Sequence, residues 1–152
     1  MMYCNGASSS VKNSNTCTVP ISQLTTAPFS LILGEHIHVK VSAINAYGES
    51  PLSSVGNGGY ITFLPDPPTN FVNNPSITAS GVVGLIWMEG ASNGGESVFG
   101  YKIQFAFNSS SSWSDLITYY DGTSYTVSNL NIGAIYKFRI ASLNIVGLSA
   151  YS

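Results

Sequence analysis

The chain is poor in charge. Only 8% of its 152 residues are Asp, Glu, Lys or Arg, against roughly 25% in ordinary globular domains. Five basic and seven acidic residues leave a formal net charge of -2, so no positive field exists to hold a nucleic-acid backbone or an anionic lipid surface. Long apolar runs are missing too. None approaches the 18 or so residues that cross a bilayer, and the opening "MMYCNGASSS" has neither the basic stretch nor the apolar stretch of a secretory signal. Membrane contact within these residues is not expected, and any export signal or membrane anchor is expected to lie outside them. Cysteine is scarce as well, with two residues, Cys4 and Cys17. Twelve residues lie between them (17 - 4 - 1), a hairpin-sized closure that a disulfide would stabilise by up to about 3 kcal/mol. Two readings stand: an oxidised pair in an extracellular module, or two unrelated buried thiols.

What is present is apolar and aromatic. Hydrophobic residues make up 44% and aromatics 12%, enough for a packed core. One phrase occurs twice. "IHVKVSAINAYGES" (37–50) returns as "YKFRIASLNIVGLS" (136–149), and aligning Asn45 with Asn144 sets an offset of 99 residues (144 - 45) that also matches Gly34 with Gly133, Gly48 with Gly147 and Ser50 with Ser149. A unit of that length is the size of a small β-sandwich domain. Both copies alternate with period two, Ile37, Val39, Val41 and Ala43 in the first and Tyr136, Phe138 and Ile140 in the second, which predicts half-buried strands. In "VVGLIWM" Val83, Leu85 and Trp87 share a face; in "GYKIQFAF" Tyr101, Ile103, Phe105 and Phe107 do. Two such sheets facing each other would bury these side chains in one layer about 10 Å thick. No helical apolar period is found in the second unit.

Taken in order, "LPDPPTNF", "LIW", "NGGESVFGYKIQF" and "YTVSNLNIGAIYKFRIASLNIVGLSAYS" resemble a fibronectin type III domain over about residues 66–152. The positions that carry the resemblance are Pro68, Phe71, Trp87, Tyr101, Leu130, Tyr136, Asn144, Gly147 and Ser149. The resemblance implies an all-β, immunoglobulin-like sandwich with Trp87 and Tyr101 in its core, and a corner at Leu130 and Tyr136 where the tyrosine hydroxyl ties back to the preceding chain. Residues 1–64 resemble only the C-terminal strands of the same domain, with Ile37 where the family usually has tyrosine. With its cysteines, that segment resembles the variant found in tandem arrays within large surface proteins of single-celled eukaryotes. The expected division is therefore a partial unit at 1–64 and a domain at 65–152 lacking most of its last strand. The chain reads as a piece of a longer multi-repeat protein or a product of gene fragmentation.

Candidate sites are few. His36 and His38, at i and i+2 of a strand, have no suitable third ligand nearby, so no metal or cofactor is expected. The acids fall at turns and strand ends, and no serine lies in a nucleophile-elbow context, so no catalytic residue is expected. The glycine doublets in "GNGG" and "NGGE" read as turns. Asn108-Ser109-Ser110 is an N-glycosylation sequon just past a predicted strand. The candidate binding loops are the two repeated turns, with Asn45, Tyr47 and Glu49 in the first and Asn144 in the second, and the 90–96 loop with Asn93 and Glu96; Asn and Gly there also suit tight turns for structural reasons alone. The expected function is a non-catalytic extracellular adhesion, spacer or protein-recognition module of a multi-repeat cell-surface protein. It would meet a protein or glycan ligand at these loops and neighbouring repeats at its ends. The alternatives are an intracellular scaffold domain that docks partner proteins and an accessory module of a secreted carbohydrate-active enzyme.

Overall fold

The computed structural model describes residues 4–152. They divide into two units, up to Ile61 and from Thr62.

The first unit begins with two short helices that the sequence reading did not anticipate, α1 (Ser9–Ser14) and α2 (Ile21–Leu24). Both are held by local polar contacts in place of an apolar stripe. The Asn5 carboxamide accepts from the Ala7 N–H at 2.9 Å, the Ser14 hydroxyl donates to the Ser10 carbonyl at 2.8 Å, and α1 stops where Asn15 turns left-handed at φ 54°. A Cys4–Cys17 disulfide, with Cα atoms 5.5 Å apart, closes the loop containing α1. Then come β1 (His36–Val39), β2 (Ile44–Asn45), β3 (Gly48–Glu49) and β4 (Gly56–Tyr60), with β1 paired to β4 and β2 to β3, both antiparallel.

Two expectations are corrected in this unit. The alternating run 37–43 does not form one half-buried strand: β1 ends at Val39, and Val39 and Val41 are 51% and 69% exposed, because among the described residues no second sheet covers that face. Nor is "GNGG" a turn. Its glycines lie within β4, where Gly56 and Gly58 let the backbone pass close to Val39 and Ile37.

The second unit is a two-layer sandwich. One sheet is formed by β5 (Thr69–Asn73), β6 (Val83–Met88) and β9 (Ser124–Val127), in the order β5-β6-β9. The other is formed by β7 (Gly100–Phe107), β8 (Ser114–Tyr120), β10 (Tyr136–Asn144) and β11 (Gly147–Leu148), in the order β11-β10-β7-β8. All pairings are antiparallel. This is the immunoglobulin-like sandwich of fibronectin type III domains.

Period-two patterning explains the core. Leu85 and Trp87 of β6 and Val127 of β9 meet Tyr101 and Ile103 of β7 and Ile140 of β10 between the sheets. Trp87 is the centre of this layer, with Phe71, Tyr101 and Tyr120 edge-on to it at 6.2, 5.4 and 6.2 Å. The face thins toward the end of β7. Phe105 is half-buried, and Phe107, expected inside, is 45% exposed and packs against Tyr136 at 4.9 Å. At the corner the Tyr136 hydroxyl accepts from the Asn131 N–H at 3.1 Å, while Leu130 packs on the core and donates its N–H to the Gly81 carbonyl.

Candidate functional site

The repeated phrase builds the same type of turn twice. In the second unit Leu143 and Asn144 of β10 pair with Leu148 and Gly147 of β11; in the first, Ile44 and Asn45 pair with Glu49 and Gly48. The Asn144 carboxamide oxygen accepts from the Val146 N–H at 2.9 Å, and that of Asn45 from the Tyr47 N–H at 2.8 Å. Gly147 and Gly48 carry φ of 148° and 141°, which excuses both turns from a Cβ. The following serines repeat the scheme. Ser149 and Ser50 donate N–H groups to the carbonyls of Ser142 and Ala43, and their hydroxyls accept from the N–H groups of the same two residues.

What the two turns hold differs. Asn144 is 1% exposed. Its amide nitrogen donates to the carbonyls of Phe63 and Asn93, each at 2.9 Å, joining the start of the unit and the 90–96 loop to the turn. Its carboxamide is committed to these internal partners, so Asn144 frames the loop and is not a surface for a ligand. The 90–96 loop is fitted to the same place. Gly94 has φ 75°, and a Cβ built there would stand 2.2 Å from the Phe63 carbonyl oxygen, which only glycine avoids. The Asp66 carboxylate accepts from the Ser92 N–H at 3.0 Å and the Asn93 carboxamide oxygen from the Gly95 N–H at 2.9 Å. Asn93 is exposed and Glu96 half-buried.

In the first unit the turn is bare. Tyr47 is 100% exposed, Ile44 is 76% exposed, Asn45 is exposed, and Glu49 is engaged by the Ser42 hydroxyl. These side chains, with Asn93, are the accessible members of the candidate loops. Asn108 follows β7 and is exposed, its backbone N–H bound to the Ile135 carbonyl at 2.9 Å. The rings of His36 and His38 are stacked with centroids 6.1 Å apart. Among the described residues no three His, Cys, Asp or Glu side chains gather as a metal site, and no helix is long and apolar enough to cross a membrane.

A second polar construction lies on the outer face of the four-stranded sheet, and nothing in the linear sequence flagged it. The Arg139 guanidinium lies 4.3 Å from the Trp113 ring centroid and 4.2 Å from that of Tyr151, and Lys137 approaches Trp113 at 5.3 Å. Arg139 Nε donates to the Gln104 carboxamide oxygen at 2.8 Å. Gln104 in turn donates to Asp115 at 2.7 Å, and Asp115 pairs with Lys102 at 2.9 Å. The Gln104 donor first, and the Lys102 ammonium after it, hold the Asp115 carboxyl below the usual carboxylate range, while the bond to Asp115 pushes Lys102 up. Inside, burial foremost and the Glu89 charge next push the Tyr101 phenol up, with the Trp87 indole pulling the other way.

No family model matches the chain. It is 40% identical over 67 residues to myosin-binding protein C, slow-type, of Homo sapiens, covering 44% of this chain and 6% of that one. It is 35% identical over 83 residues to the cell adhesion molecule DSCAM of Homo sapiens, covering 55% of this chain and 4% of that one. The chain thus spans a small fraction of these relatives. Among solved structures, a domain segment of titin matches with a TM-score of 0.57 at 28% identity, covering 74% of this chain and 37% of that one. A human FNIII domain matches with a TM-score of 0.55 at 23% identity, covering 66% and 82%, a likeness of fold alone. The chain is therefore similar to fibronectin type III and immunoglobulin-like domains of muscle and adhesion proteins.

Proposed function

We propose that this chain is a non-catalytic adhesion or protein-recognition module of a multi-repeat cell-surface protein, with a partial unit at 1–64 and a second at 65–152. The observation that carries the reading is the similarity to a cell adhesion molecule, joined to a Cys4–Cys17 disulfide, a bond of oxidising compartments. The cysteine-bearing first unit is read as a variant repeat of the kind that occurs in tandem arrays of large surface proteins of single-celled eukaryotes. Tyr47, fully exposed at the tip of its turn, is the aromatic anchor for a protein or glycan ligand. Asn108 is the glycan acceptor.

Similarity to titin and to a myosin-binding protein favours a second reading, an intracellular scaffold domain that docks partner proteins. Mass spectrometry separates the two. Protein from its native source is alkylated before any reduction and then digested. A bridged Cys4–Cys17 peptide and a glycan on Asn108 are the expected result for the surface module; both thiols alkylated and Asn108 bare would transfer the case to the scaffold.

A further inference from the structure

Three Asn–Gly pairs occur in the sequence, Asn5-Gly6, Asn57-Gly58 and Asn93-Gly94, and the fold holds each differently. In such a pair the glycine nitrogen can attack the asparagine side-chain amide, because glycine has no Cβ to crowd the approach. The rate then depends on how closely the nitrogen and Cγ are held, and on what receives the proton and the developing negative charge. All three asparagines are exposed. Access to water therefore does not separate them.

Asn57 lies in β4, paired with His38. An extended strand points its side chain out of the pleat and keeps Cγ away from the next nitrogen. Asn93 has the opposite arrangement. Its carboxamide oxygen accepts from the Gly95 N–H at 2.9 Å, an Asx turn that folds Cγ back toward the Gly94 nitrogen. The same bond aims a backbone donor at the oxygen that becomes anionic when the amide is attacked. Gly94 is buried, and its N–H is donated to the Ser92 hydroxyl at 3.1 Å, so the proton that must leave has an acceptor within the loop. Asn5 shares the Asx turn, with its oxygen on the Ala7 N–H at 2.9 Å. Among the described residues, a hydroxyl bonded to the attacking N–H is found at Gly94 alone of the three glycines. The backbone around the reacting pair is also fixed, by the Asn144 amide on the Asn93 carbonyl at 2.9 Å and by the φ of 75° at Gly94.

We propose that Asn93 is a self-modifying site, converted by its own loop to isoaspartate. The Gly94 nitrogen bonds to Asn93 Cγ as its proton passes through the Ser92 hydroxyl to solvent hydroxide. The Cγ–Nδ2 bond breaks, and ammonia leaves with a proton from water. A second water then opens the cyclic imide at the Asn93 main-chain carbonyl carbon. The net change is one water consumed and one ammonia released, with no oxidant or reductant. The chain now runs through the side-chain carbon, one methylene longer, and the former main-chain carbonyl is a carboxylate. That carbonyl is one of the two that Asn144 holds. Reaction on the exposed side of the 90–96 loop thus gives the loop a negative charge and alters what the buried Asn144 grips.

The test holds the 152-residue chain in mildly alkaline buffer, natively and in urea, and follows isoaspartate at each Asn–Gly pair by electron-transfer mass spectrometry. In the native protein Asn93 should convert at least about tenfold faster than Asn57. Ser92→Ala should slow conversion at Asn93 and leave Asn5 unchanged, and in urea the three sites should converge. In NMR spectra the Asn144 side-chain amide signals should move further in the isoaspartate form than in Asn93→Asp, which adds the charge without the methylene. Equal native rates at Asn93 and Asn57 overturn the proposal, as does a ranking that survives urea, which would assign the rates to sequence neighbours alone. An Asn93 rate untouched by Ser92→Ala overturns the part given to the hydroxyl.

Discussion

Asn144 grips the carbonyls of Phe63 and Asn93 with one amide nitrogen, while Asn45, at the same point of the repeat, stands exposed with its oxygen on Tyr47. One residue type in one turn geometry does two jobs, and the difference is in what surrounds it. Asn144→Ala should destabilise the second unit by about 2–3 kcal/mol, since it removes a buried side chain that bonds the Phe63 and Asn93 carbonyls and two turn N–H groups. Asn45→Ala should cost under about 1 kcal/mol. Trp87 and Trp113 both belong to the second unit, so denaturant titration followed by tryptophan fluorescence reads the first variant and should barely register the second.

The repeat also nominates a stabilising change. The Ser142 hydroxyl is buried and finds no hydrogen-bond partner among the described residues; its counterpart in the first unit is Ala43. Ser142→Ala should raise stability by up to about 1 kcal/mol, by removing a buried polar group that gains nothing. A lower midpoint in the same titration would mean the hydroxyl is satisfied after all.

On the outer face, Arg139→Lys keeps the charge and loses both the planar stacking between Trp113 and Tyr151 and the directed bond to Gln104. A cost of about 1 kcal/mol is expected, with a change in Trp113 emission in the native state. Equal stability and unchanged emission would show that the column contributes nothing.

Tyr101 makes the unit sensitive to alkali. Its folded-state pKa is raised above the ordinary 10.0 by burial and then by Glu89, so the folded state holds the phenolic proton more tightly than the unfolded chain. The stability this gives is complete below the ordinary value and is lost as pH rises through the folded one. Midpoints measured across that range should fall with pH, and Tyr101→Phe should flatten the slope relative to the other tyrosines.

The sandwich itself was legible because its information is local and periodic. Alternation placed Leu85, Trp87, Tyr101, Ile103 and Ile140 facing inward, and the resemblance to fibronectin type III domains implied the corner at Leu130 and Tyr136. Phe107 and the 37–43 run followed the same rule and were misplaced, because a period identifies a face and not whether anything covers it. Helices α1 and α2 left no apolar period to read, being held by asparagine and serine side chains in α1 and by the Thr25 and Thr26 hydroxyls in α2. The Trp113–Arg139–Tyr151 column was invisible for another reason: its members are joined only by folding, with 25 residues between Trp113 and Arg139 (139 - 113 - 1). Asn144 was noticed as a turn residue, but its inward grip depends on carbonyls at positions 63 and 93.

That grip has a mechanical meaning. Tension on the backbone at Phe63 meets bonds on both of its polar groups, its N–H to the Gly94 carbonyl at 2.8 Å and its carbonyl to Asn144. Load entering there passes sideways into β10 before it can peel β5 from its sheet. At the other side of the unit Ser152 is bonded to Ile140 of the same strand, so a pull applied at either Phe63 or Ser152 would bear on β10.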